Sequence, residues 1–101
     1  QWENVLQQSK EKPFLLLKHS TTCPVSAAAY REFTSAETEL DLYLVKVIES
    51  RPVSNEIESN LSVQHKSPQL FLVANEEPVW HTSHWNITQT NIADAIQHHQ
   101  V

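Results

Sequence analysis

Cys23 is the only cysteine in a chain of 101 residues, and it stands in the run Thr22-Cys23-Pro24-Val25-Ser26. Pro24 suits the first position of a helix, where its missing N–H has no intrahelical partner to lose. Cys23 is then the N-cap, and its sulfur faces the free N–H groups of Val25 and Ser26. The helix dipole and these donors favour a thiolate, and cysteines in such settings titrate at about 3.5–7.5 instead of 8.5. A pKa near ~6 would raise the thiolate from a few per cent to about nine-tenths at neutral pH, a gain of roughly 3.4 kcal/mol. The dipole supplies at most ~2 kcal/mol, so direct hydrogen bonds must provide the rest. Ser26 offers both its N–H and its hydroxyl. A lone cysteine without such a setting reads as a small buried side chain; Cys-Pro-x-Ser at a helix start, after a buried strand, reads as a reactive thiol.

Other chemistries find less support. The chain has six histidines, but none falls into an HExxH or Cys-His zinc spacing, so no metal site is expected. There are no glycines, hence no glycine-rich phosphate loop, and no Ser-His-Asp order stands out. A formal charge of −5 argues against nucleic acid or an anionic membrane as partner. No apolar run approaches the ~20 residues needed to span a bilayer, and the first residues show no signal-peptide pattern. The chain starts at Gln1 without a methionine, which suggests trimming. A single cysteine cannot form an intrachain disulfide, which favours a reducing, cytoplasmic setting. The sequons at Asn60 and Asn86 would matter only in a secreted protein.

The elements that must position Cys23 follow from hydrophobic spacing. Trp2, Val5 and Leu6 recur at helical intervals and predict a short helix ending near Ser9. Pro13 to Leu17 is a compact apolar run, as in a strand buried on both faces. Ala27 to Phe33 has helical propensity. Leu42 to Ile48 is expected to be a second buried strand. Val53, Ile57 and Leu61 mark a helix beginning around Pro52 to Ser54. Leu70 to Val73 is a third strand, opening after Pro68. Asn75 to Pro78 is a turn, and Val79 to Thr82 a fourth strand. Thr88 caps the last helix, with Ile87 and Ile92 at the two staple positions.

The order α-β-α-β-α-β-β-α predicts one α/β domain over residues 1–101, with a four-stranded mixed sheet flanked by helices. Strands one and two are joined through a helix, so they are expected parallel with a right-handed crossover. Strand three should run against strand one, and strand four against strand three. Four segments then converge at the carboxyl edge of strand one, where ligands of open α/β sheets bind. They are Ser20 to Ser26, Glu49 to Ser54, His65 to Pro68 and Ser83 to Thr88.

These segments carry a resemblance. "KHSTTCPVSAAAYREF", "RPVSNEIE", "HKSPQLFLV" and "VWHTSHWNIT" resemble the monothiol bacilliredoxins, the YtxJ-like group of Gram-positive bacteria, within the thioredoxin-like fold. The likeness runs from Trp2 to about Ile92. It departs where the family usually has glycines and this chain has Ser62, after the second crossover helix, and Glu76 or Glu77, in the hairpin. The resemblance implies a cis Ser67-Pro68 bond that leaves the Ser67 backbone beside Cys23. It also implies removal of bacillithiol from S-bacillithiolated client proteins, with bacillithiol as co-substrate and no bound cofactor; separately, a monomer is expected. With Ser26 where a resolving cysteine would stand, a mixed disulfide on Cys23 must be released by an external thiol.

Bacillithiol carries carboxylates, a sugar and an amine, so its pocket needs a cation and hydrogen-bond donors. Arg51 is the basic residue of the converging loops and the expected carboxylate clamp. Thr22, Ser67, Pro68, His84 and Trp85 complete the expected ligand contacts. Trp80 reads as core, and Lys18 as a solvated residue at the end of the first strand. Two other readings stay open: a non-catalytic module holding a peptide between Ser67 and Trp85, and an iron–sulfur carrier, whose glycine-containing motif is absent.

Overall fold

The computed structural model describes residues 2–21, 24–36 and 38–99. Their elements are α1 (Trp2–Gln8), β1 (Phe14–His19), α2 (Pro24–Thr34), β2 (Asp41–Lys46), α3 (Arg51–Leu61), β3 (Gln69–Ala74), β4 (Glu77–Ser83) and α4 (Gln89–His99), with a 3-10 turn at His84–Asn86. The sheet order is β2-β1-β3-β4. β1 pairs with β2 in parallel and with β3 antiparallel, and β3 pairs antiparallel with β4. Among the described residues no helix is long and apolar enough to cross a membrane.

Two-residue alternation along the central strands divides the core into two layers. Leu15, Leu17, Leu70 and Leu72 pack with Ala29 and Phe33 of α2 and with Ile92 and Ala95 of α4. Phe14, Leu16, Phe71 and Val73 pack on the other face with Trp2, Ile57 and Leu61. Each fully buried Leu, Ile, Val or Phe among them contributes about 1.5–3 kcal/mol. Trp2 meets Phe14 edge-on at 6.3 Å, and its indole N–H donates to Asn60 Oδ1 at 2.8 Å. The α4 cap forms as its sequence predicts: the Asn91 N–H donates to Thr88 Oγ1 at 3.1 Å, and Ile87 and Ile92 are both buried.

β2 differs from expectation. It is an edge strand, and Leu42 and Leu44 remain 39% and 38% exposed. Tyr43 and Val45 lie against the core, while Leu42 and Leu44 on the opposite face are exposed. Ile48 lies beyond the strand in a turn and is 52% exposed. An apolar β-branched run reads alike whether one face is covered or both. β4 also starts earlier than Val79, because Pro78 is accommodated on the outer strand beside a register shift at Leu72/Val73.

Without glycines, the left-handed backbone positions fall to Ser62 (φ 56°), Asn75 (53°), Glu76 (63°) and His84 (55°). Asn75 and Glu76 form the two-residue turn between β3 and β4, where both residues need positive φ. The turn is held by Ser9: its carbonyl accepts the Asn75 N–H at 2.9 Å and its hydroxyl the Glu76 N–H at 2.7 Å. Lys10 adds an ion pair to Glu76 at 2.9 Å. Ser62 and the hairpin pair Glu76 and Glu77 are where the resemblance leads to an expectation of glycine, at Ser62 and at one of the two glutamates.

Candidate active site

β1 delivers the chain to the carboxyl edge, and α2 begins at Pro24, the residue after the cysteine. Cys23 and Thr22 lie outside the described residues, as therefore does the assignment of Cys23 as N-cap. Pro24 is exposed, Val25 half-buried and Ser26 fully buried. Ser26 does not hold its hydroxyl in reserve for the sulfur. Its Oγ accepts the Ser20 N–H at 2.9 Å and lies 3.1 Å from His19 Nδ1. The His19 ring stacks on Tyr30 at 5.1 Å. Burial lowers the His19 pKa; Ser26 and Glu49 oppose that effect, and Lys46 adds to it.

The opposing loop has the expected cis Ser67-Pro68 bond. Pro68 is buried, and its carbonyl accepts the His84 N–H at 3.1 Å, which joins two of the converging segments. The Val47 N–H donates to the His19 carbonyl at 2.9 Å and ties together the chain just ahead of the other two. Ser67 Oγ is buried and, among the described residues, without a hydrogen-bond partner. His84 is exposed, with Nδ1 3.1 Å from Ser83 Oγ. Trp85 is 69% exposed and is therefore no core aromatic, whereas Trp80 is half-buried against the α2/α4 layer.

Beneath this loop lies a group that the sequence reading placed in solvent. Lys18 is fully buried, and its ammonium has no hydrogen-bond partner among the described residues. It follows Phe14 and Leu16 in alternation, so it belongs to the α3 face; that parity was the signal available in the sequence. Desolvation lowers its pKa, opposed by the Glu58 carboxylate. Glu58 Oε2 accepts the His65 N–H at 2.6 Å. The His65 imidazole is likewise lowered, by burial first and then by Lys18, with Glu58 opposing and Arg51 adding to the depression. Gln69, the register partner of Lys18, accepts the Lys66 N–H at 3.2 Å and donates to the Gln64 carbonyl at 3.0 Å. Side chains from α3 and β3 thus hold the approach to the cis proline.

Arg51 is exposed in the first turn of α3, and neither ion pair found among the described residues involves it. The α3 N-terminus has no side-chain cap, so its first amides and Arg51 together present donors and positive charge. His65 feels the Arg51 charge, which places Arg51 toward the cis-proline side of the edge. Among the described residues no group of three or more His, Cys, Asp or Glu is placed to hold a metal ion.

The sheet order, the helix that follows the cysteine and the cis-proline loop define the thioredoxin fold. Thioredoxin from Fasciola hepatica superposes with a TM-score of 0.68 at 14% identity, over 96% of this chain and 89% of that one. Thioredoxin NaTrxh from Nicotiana alata gives 0.64 at 20% identity, over 97% and 84%. A structure described as a candidate oxidoreductase with a thioredoxin fold is nearer, with a TM-score of 0.84 and 38% identity over 92% of this chain and 86% of that one. The model of the monothiol bacilliredoxin family BrxC matches residues 1–92. The chain belongs to that family, and its chemistry is thiol–disulfide exchange.

Proposed function

We propose that this chain removes bacillithiol from S-bacillithiolated proteins by way of a mixed disulfide on Cys23. The observation that carries the reading is the pairing of a sole cysteine, next to the first residue of α2, with a buried serine at the position of a resolving thiol. The Cys23 thiolate attacks the bacillithiol-side sulfur of the client's disulfide. The new bond joins Cys23 to bacillithiol, and the client leaves as a thiolate that takes up a proton. A second bacillithiol gives up its proton, attacks the bacillithiol sulfur on Cys23, and departs as oxidised bacillithiol, restoring the Cys23 thiolate. One bacillithiol thiol is consumed and one client thiol is regenerated, the external bacillithiol is the reductant, and no bound cofactor takes part.

The Val25 and Ser26 amides are the donors for the sulfur, with Pro24 fixing the first helical turn. Arg51 and the uncapped α3 amides receive a ligand carboxylate. The Ser67 backbone beside the cis proline, together with Thr22, His84 and exposed Trp85, borders the ligand. A moderate thiol pKa serves both half-reactions, since a very low one would blunt attack. The reading places the protein in a reducing, cytoplasmic setting, as a monomer. The rate of Cys23 alkylation against pH tests it. The expected pKa is within about 3.5–7.5; a value near ~8.5 would point to a module that holds peptides without exchanging thiols.

A further inference from the structure

β4 is an outer strand of the sheet, and between it and α4 runs an open groove of about 400 Å³. Trp80 and Thr82 line it from the strand, and Asn91, Asp94 and His98 from the helix. The three helix residues stand at i, i+3 and i+7, so they share one face of α4. Asn86 also lines the groove. It belongs to the Ser83 to Thr88 segment, so the groove reaches the edge where the four segments converge.

The chemistry of the lining is one-sided. Asp94 is the only Asp, Glu, Lys or Arg in it. Its side chain is exposed, and among the described residues it has neither an ion pair nor a hydrogen bond. Asn91 donates its side-chain N–H to the Asn86 carbonyl at 2.7 Å, which leaves its side-chain oxygen as a second acceptor. Trp80 is half-buried, and the part of its ring that is not packed on the core lines the groove. A carboxylate, an amide oxygen and an aromatic ring suit a guanidinium, which is planar, carries five N–H donors and is attracted to ring faces. An ammonium has the charge without the plane. An anionic ligand would meet Asp94 with no Lys or Arg to balance it. The net charge of −5 also favours the approach of a cationic group.

We propose that this groove receives an arginine side chain of the client protein, held by the Asp94 carboxylate and the Trp80 ring. Asp94 and Trp80 are then specificity residues. They select which protein is held at the edge and take no part in the exchange of sulfur. That the arginine belongs to a client rests on the function proposed above; its binding to the groove requires no thiol.

NMR titration of the full chain with acetyl-Ala-Arg-Ala-amide tests the groove by itself. Twin peptides carry lysine, or citrulline, the neutral isostere of arginine. The arginine peptide should shift the Trp80 indole signal and the Asn91 and Asp94 amides, with a Kd on the order of 1 mM, as one charge-assisted pair and one cation–π contact imply. Citrulline should bind about tenfold more weakly, and lysine between the two. Asp94→Asn, at an exposed position, should weaken the arginine peptide about tenfold and leave the reaction of the protein with oxidised bacillithiol unchanged. Equal binding of the arginine and citrulline peptides would overturn the proposal, as would lysine binding as tightly as arginine. So would shifts that miss these three residues, or an Asp94→Asn variant that binds like the parent. S-bacillithiolated peptides with arginine at several spacings from the modified cysteine test the partner. At one spacing exchange should be about tenfold faster than for the citrulline twin, and Asp94→Asn should abolish the difference. No preference at any spacing would overturn the assignment to clients. If Cys23 is inert toward every peptide, the proposed function fails separately, and the titration still decides the groove.

Discussion

Lys18 is a buried ammonium with no hydrogen bond among the described residues, compensated only at a distance by Glu58. Its folded-state pKa lies below the ordinary 10.5, so between the two values the unfolded chain binds more protons than the folded one. Stability should therefore rise with pH through that window and be greatest above it. Lys18→Met removes the titrating group and keeps the volume. The variant should lose this rise and, at neutral pH, be as stable as the parent or more stable by on the order of 1 kcal/mol. Urea titrations at about pH 7 and about pH 10 check both halves. A loss of several kcal/mol at neutral pH would show that Glu58 depends on the ammonium. Arg51 belongs to binding, not to attack. Arg51→Ala should raise the KM for bacillithiol roughly tenfold, as loss of one charge-assisted pair implies, and leave single-turnover attack by Cys23 intact. An unchanged KM would remove Arg51 from the site.

At the scale of elements, the turn that ends α3 offers a clean test. Ser62 is exposed at the C-cap with φ 56° and ψ 34°. Ser62→Gly relieves a β-carbon at a left-handed position and should stabilise the chain by about 0.5–1 kcal/mol, read from the urea midpoint. The edge position of β2 makes a second prediction. Leu44→Lys should change stability by less than about 0.5 kcal/mol, while Leu17→Ala, at its fully buried register partner on β1, should cost about 2–5 kcal/mol. Comparable losses at both positions would mean that Leu44 is covered in solution. The element order, the strand directions and the α4 cap were legible in the sequence because spacing, capping chemistry and connection length each constrain them. The exposure of β2 was not. Leu42, Leu44 and Val45 look the same in one dimension whether a helix covers one face or two, and only sheet order decides which strand lies at the edge. Lys18 was misread for a related reason: residue type outweighed the alternation that puts it in line with Phe14 and Leu16.

For the molecule as a whole, two histidines near the site tie stability to pH. Burial is the largest cause of a lowered pKa at both His19 and His65. Each is held neutral in the folded state, so its contribution is complete above the ordinary value of 6.5 and is lost as pH falls through the folded value. Melting temperature should therefore fall between about pH 7 and about pH 5, and less steeply in His19→Phe. Of the site itself, the thiol motif and, through the family resemblance, the cis proline could be anticipated, whereas whether Trp85 is exposed or core could not. The engagement of the Ser26 hydroxyl by Ser20 and His19 could not, because it depends on where the end of β1 passes the first turn of α2. The central claim is that Cys23 accepts bacillithiol from a disulfide and keeps it until an external thiol arrives. Intact-mass and peptide mass spectrometry after mixing the protein with an S-bacillithiolated peptide measures this directly. The predicted result is one bacillithiol adduct, on the peptide containing Cys23, together with free client thiol, and its removal on adding bacillithiol. A client disulfide left intact, with Cys23 unmodified, would contradict the account.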